Sequence, residues 1–183
     1  MSTLTACTVR QQDLPGKISC LHTAVPPVID GRTTELCWKE APSYPIDRLW
    51  SGKLPYATDY MGRFKACRDS TRLYLLIEIA DDFLIKKEDR IDIYIGNALP
   101  ESEPIVYSVY PDAPDHITLS PGALTSQENT AKSTIYFQDH MSTWEIAIPQ
   151  PNAGQRSIPF ALCYNDVDRT PGTADRMGNI TLE

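Results

Sequence analysis

The chain has 183 residues, a formal net charge of -7, and 42% hydrophobic against 22% charged residues. That is long enough for one well-cored domain and ordinary for a soluble globule. The acidic balance argues against a nucleic-acid partner, since phosphate binding needs clustered Lys and Arg, and no apolar run reaches the ~20 residues that cross a membrane.

The N-terminus, MSTLTACTVRQQDLPG, lacks the basic and apolar regions of a signal peptide. As it stands the sequence reads as cytoplasmic, or as secreted if a leader has been trimmed away. Weak strands are expected over Thr8–Gln12 and Ile18–His22, separated by a Pro15-Gly16 turn. Pro26-Pro27-Val28-Ile29-Asp30-Gly31 is an extended lead-in ending in an Asp-Gly turn. Glu35–Glu40 is a short strand or single turn that buries Trp38. Residues 41 to 59 form the least regular stretch, broken by Pro42, Pro45, Gly52 and Pro55, with Trp50 and Tyr56 inside it. Loops on β-scaffolds commonly carry recognition.

Gly62–Arg68 reads as a strand, and residues 72 to 97 hold the clearest pattern in the chain. Leu73, Leu75, Ile77 and Ile79 share one parity, Tyr74, Leu76, Glu78 and Ala80 the other. After a charged loop Ile91, Ile93 and Ile95 resume the rhythm opposite Asp92 and Tyr94. Period-2 alternation describes two-faced strands. Read as an antiparallel pair, the two segments put Glu78 and Asp92 on one face, either solvated or forming a concave ligand face.

Ile105–Tyr110 follows, with Tyr107 and Val109 on one side, then short strands over His116–Ser120 and Thr134–Gln138. Ser142–Pro149 points Trp144, Ile146 and Ile148 inward and Glu145 outward. Ile158–Tyr164 is a last long strand, and Ile180–Leu182 closes the chain after a polar loop. No window shows a helical period, and the fifteen prolines suit irregular loops. About ten to eleven short, mostly antiparallel strands at ~8–12-residue spacing predict an all-β, jelly-roll-like β-sandwich. One domain over 1–183 is expected, with residues 1–25 adding the N-terminal strands.

Cys7, Cys20, Cys37, Cys67 and Cys163 are scattered without a C-x-x-C pair. That excludes the usual zinc spacings and favours reduced, structural thiols, with Cys7–Cys20 as one open pairing. There is no G-x-S-x-G elbow, and His22, His116 and His140 fall in unrelated places. Glu78, Asp92 and Glu145 are the strand carboxylates that could pair as in a glycosidase. Asp166, Asp168 and Asp175 offer hard oxygens at loop positions that could converge on calcium. Met61, Met141 and Met177 with His116 or His140 supply the atoms of a Met/His haem site.

Several segments together resemble the family 9 carbohydrate-binding module. They are Pro27–Gly31 followed by Trp38, Asp69 with Leu73-Tyr74-Leu75 and Asp81, and the run Asp89-Arg90-Ile91-Asp92-Ile93-Tyr94-Ile95, similar to the family's D-S-V-E-I-Y/F-I-D. Glu145–Pro149, Phe160 with Asn165-Asp166, and Met177-Gly178-Asn179-Ile180 complete the set, from about residue 26 to the end. The resemblance implies a secreted β-sandwich, non-catalytic, often attached to glycoside hydrolases such as xylanases, with structural calcium and a sugar slot between two tryptophans. Those tryptophans fall where this chain has Lys86-Lys87-Glu88 and Arg169-Thr170-Pro171-Gly172, and Cys163 stands near the family's amide position.

The reading is therefore a carbohydrate-binding module with altered preference. In it Asp92 accepts sugar hydroxyls, Tyr94 and Tyr107 line the concave face, and Asn165 and Arg176 rim it. Trp50, Tyr56, Tyr60 or Tyr107 replaces the missing platform. The alternatives are an accessory or interaction domain that has lost sugar binding, and a DOMON-like haem-binding sandwich.

Overall fold

The computed structural model describes residues 18–53, 60–81, 84, 87–96, 104–120, 131–150, 157–167 and 175–179. Among them are twelve strands: β1 Leu21–His22, β2 Ser43–Pro45, β3 Arg48–Ser51, β4 Tyr60–Arg68, β5 Arg72–Asp81 and β6 Arg90–Ile95, then β7 Ile105–Val109, β8 Ile117–Leu119, β9 Lys132–Gln138, β10 Met141–Pro149, β11 Phe160–Asp166 and β12 Asp175–Gly178. One short helix, α1, spans Leu36–Glu40. The first sheet runs β1-β4-β5-β10-β9, with β2 also on β4, and the second runs β3-β12-β11-β6-β7-β8. Every pairing is antiparallel except β1 with β4. The sandwich is as expected.

Alternation selects the core. Leu73, Leu75, Ile77 and Ile79 of β5 meet Ile91, Ile93 and Ile95 of β6 and Trp144, Ile146 and Ile148 of β10 in one cluster, none more than 6% exposed. The expected β5–β6 pair does not exist, because the chain crosses between the sheets after Asp81. Two one-sided sheets remove most apolar surface from water by facing each other, so the two aliphatic stripes oppose across the core. Glu78 and Asp92 consequently lie on outer faces of different sheets. Glu78 pairs with Arg63 at 2.7 Å on the first.

Other differences are local. Of the two alternatives for Glu35–Glu40 the single turn holds, as α1, while the irregular stretch 41–59 yields β2 and β3 and the polar loop before residue 180 contains β12. Thr8–Gln12 and Ile180–Leu182 lie outside the described residues.

A second cluster covers the outer face of the first sheet. Cys37 and Trp38 of α1 pack on Cys67, Tyr74, Leu76 and Ala147. Glu145 points outward as expected, yet it is 0% exposed because α1 and the lead-in cover this face. Its Oε2 accepts the Gly31 N–H at 2.7 Å and the Asp30 N–H at 2.9 Å, and Oε1 accepts Trp38 Nε1–H at 2.8 Å. Burial raises its carboxyl above the ordinary value against the pull of these donors. Glu145 thus pins the lead-in and α1 to the sheet, and it shares no cleft with Asp92. Cys20, Cys37, Cys67 and Cys163 are free thiols, while Cys7 lies outside the described residues.

The β4–β5 turn is organised by Asp69. Its Oδ1 accepts the N–H groups of Thr71 at 2.6 Å and Arg72 at 2.8 Å, and Oδ2 accepts the Tyr74 hydroxyl at 2.6 Å. Burial works to raise this carboxyl, but the donors outweigh it and hold it at about 2. Asp69→Ala should cost about 1–2 kcal/mol at neutral pH, allowing for solvent screening at a partly exposed turn. A depressed folded pKa stabilises above the unfolded value of 3.8. The gap between wild type and D69A therefore closes as pH falls from about 4 through about 2, which urea melts across that range would read.

Candidate functional site on the second sheet

The outer face of the second sheet carries the opposite parity of β6, β7, β11 and β12. One cross-strand row runs Arg176, Asn165, Arg90; the next runs Gly178, Cys163, Asp92, Ser108. Residues directly opposite on antiparallel strands share a face, so these side chains are neighbours.

Asp92 stands at the centre and is 3% exposed. Both its oxygens lie 3.1 Å from Arg90 Nε; Ser108 Oγ donates to it at 2.6 Å and Asn165 Nδ2 at 2.8 Å. With those lone pairs taken, Asp92 organises the face instead of presenting a bare carboxylate. Arg90 extends over the Tyr110 ring, 5.9 Å from its centroid.

The other half of the face is aromatic. The indole of Trp50 lies on the Gly178 backbone, where an added Cβ would collide with it. Its ring is 5.6 Å from that of Tyr94, and Arg176 Cζ sits 5.4 Å from the indole centroid. Arg176 Nη2 donates to the Tyr94 hydroxyl at 2.8 Å. Burial raises the Tyr94 hydroxyl above its ordinary value, and raises the Cys163 thiol beneath Arg176 to about 11. Burial also disfavours the charge on Arg176, but Cys163, Tyr94 and Asp92 more than offset it.

Gly178→Ala should lift the indole off the strand. Trp38 and Trp144 are 1% and 0% exposed, so a red-shifted emission with easier acrylamide quenching would report Trp50 alone. Unchanged quenching would contradict this packing.

Five of the expected ligand residues, Asp92, Tyr94, Asn165, Arg176 and Trp50, thus come together. Tyr107 does not: it is 1% exposed, packed in the core opposite Ile93. Val106 and Ser108 carry the outward parity of β7. Tyr60 is likewise internal, stacked on Tyr164 at 5.7 Å, and Tyr56 lies outside the described residues.

Asp166 and Asp175 are cross-strand partners, but Asp175 Oδ1 accepts the Lys53 N–H at 2.7 Å and packs on Gly52. Asp168 lies outside the described residues. No three His, Cys, Asp or Glu side chains cluster as metal ligands among the described residues. Of the haem candidates, Met177 fills the core, Met61 and Met141 flank Ala80 on one face of the first sheet, and His116 lies in the turn before β8. His140 and Asp139 form the β9–β10 turn with positive φ and line a cavity with Asp81, Phe137 and Met141.

A family model described as Carbohydrate family 9 binding domain-like matches residues 29–182. The chain belongs to this family. The fold of this family 9-like domain is similar to that of a family 9 carbohydrate-binding module from Caldicellulosiruptor kristjanssonii. In complex with glucose that module superposes with a TM-score of 0.65 at 15% identity, covering 88% of this chain and 85% of that one. In complex with cellotriose the TM-score is 0.68, again at 15% identity, over 89% and 84%. No curated protein matches the chain.

Arg90, Ser108 and Tyr110 also gather around Asp92 and were not among the residues singled out from the sequence. Arg90 was detectable two positions from Asp92 on one strand. Ser108, and Tyr110 just after β7, required knowing that the Tyr107–Val109 side of the strand faces the core.

Proposed function

We propose that this family 9-like domain binds sugar or oligosaccharide, without catalysis, on the outer face of the second sheet. The observation that carries the reading is the half-buried Trp50 indole beside Tyr94, with Arg176 and the Asp92-centred network along the same face. A sugar ring offers a C–H face that stacks on an indole and hydroxyls that need charged and amide partners around it. Trp50 with Tyr94 serves as the platform, Arg176 and Arg90 reach the hydroxyls, and Asp92 holds Arg90 and Asn165 in position.

One observation favours a second reading. Asp92 has its hydrogen bonds satisfied within the protein, as in a sandwich that serves as an accessory domain and no longer binds sugar. Titrating glucose and cello-oligosaccharides against tryptophan fluorescence separates the two. A saturable change is expected, and no response at millimolar sugar favours the accessory role.

A further inference from the structure

Resting on the sugar-binding reading, we propose that the preferred ligand is an anionic sugar, a uronic acid or an oligosaccharide bearing one, held through Arg176. Among the described residues the face carries three guanidinium groups; Arg48, opposite Gly178 on the edge strand, pairs with Asp47 at 3.3 Å. Arg90 is matched by Asp92. Arg176 has no carboxylate within ion-pair distance among the described residues. Its partners among the described residues are neutral: the Tyr94 hydroxyl, the Trp50 ring and the Cys163 thiol. Its Nε is buried without an acceptor, and on the neighbouring strand Asn165 Oδ1, in a side chain 0% exposed, also lacks a partner.

Taking a guanidinium partly out of water without a counter-charge is unfavourable. Asp92 favours the charge through space but cannot pair with it, because its oxygens accept from Arg90, Ser108 and Asn165. A carboxylate from outside would, since the planar guanidinium matches it with two parallel hydrogen bonds. A uronate brings both halves of the complement, a C–H face for Trp50 and a carboxylate for Arg176. A neutral sugar brings only the first.

Glucuronic acid and glucose differ at this one group, so the full chain is titrated with each by calorimetry. Glucuronate should bind roughly 10- to 100-fold more tightly at low salt, the value of one charge-assisted pair. The advantage should shrink as NaCl rises to about 0.5 M, and Arg176→Gln should bring the ratio close to one. Should that variant fail to fold by circular dichroism, the salt series on the unaltered protein decides alone. Glucose binding as tightly as glucuronate overturns the anionic preference and leaves sugar binding standing. If neither sugar gives heat at millimolar concentration, both fall.

Discussion

Glu145→Ala should lower the stability of the domain by about 4 kcal/mol. The carboxylate is 0% exposed and accepts three donors, from Gly31, Asp30 and Trp38. Each buried donor left without an acceptor costs about 1–3 kcal/mol, and the methylenes removed leave a gap beneath α1. Against a total stability of about 5–15 kcal/mol that is a large fraction. The melting temperature should fall by roughly 10 °C, with Trp38 emission moving to the red as α1 loosens. Glu145→Gln keeps one acceptor oxygen and should lose about half as much. A loss under about 1 kcal/mol for the alanine variant would show that the lead-in and α1 do not depend on this anchor.

Trp50→Ala should reduce affinity for whichever sugar the wild type binds by roughly 5- to 30-fold, at a stability cost of about 1–2 kcal/mol. Stacking on an indole is worth about 1–2 kcal/mol once the apolar area it covers is included. The stability cost is smaller than for a core tryptophan because Trp50 lies on the Gly178 backbone at the edge of the sheet, outside the sandwich core. Calorimetric titration gives the affinity and urea melts the stability. Trp50→Phe should recover part of the binding. Equal affinity in W50A and wild type would remove Trp50 from the site and move the platform elsewhere.

Periodicity made much of this fold legible. The alternation of Leu73–Ile79, Ile91–Ile95 and Trp144–Ile148 states which side chains are buried, because side chains of a strand point alternately to its two faces. Tyr107 shows where that signal fails. β7 reads Ile105-Val106-Tyr107-Ser108-Val109, apolar on both parities, so hydrophobicity does not choose a face. The pairing of Tyr107 with Ile93 and Val109 with Ile91 does. Trp50 lies among prolines and glycines that suggest a loop, yet β3 forms because β12 offers it a partner.

By itself the sequence determined an all-β sandwich, the inward stripe of its strongest strands, and Asp92 as the polar residue of the β6 outer face. Only the tertiary structure decided that β5 and β6 belong to opposite sheets, that Glu145 is an internal anchor, and that Trp50, Tyr94, Arg176 and Asn165 meet around Asp92. The physical reason is range. Alternation is local to one strand and names a face, whereas the neighbour on that face is chosen by pairings and packing between residues as far apart as Asp30 and Glu145.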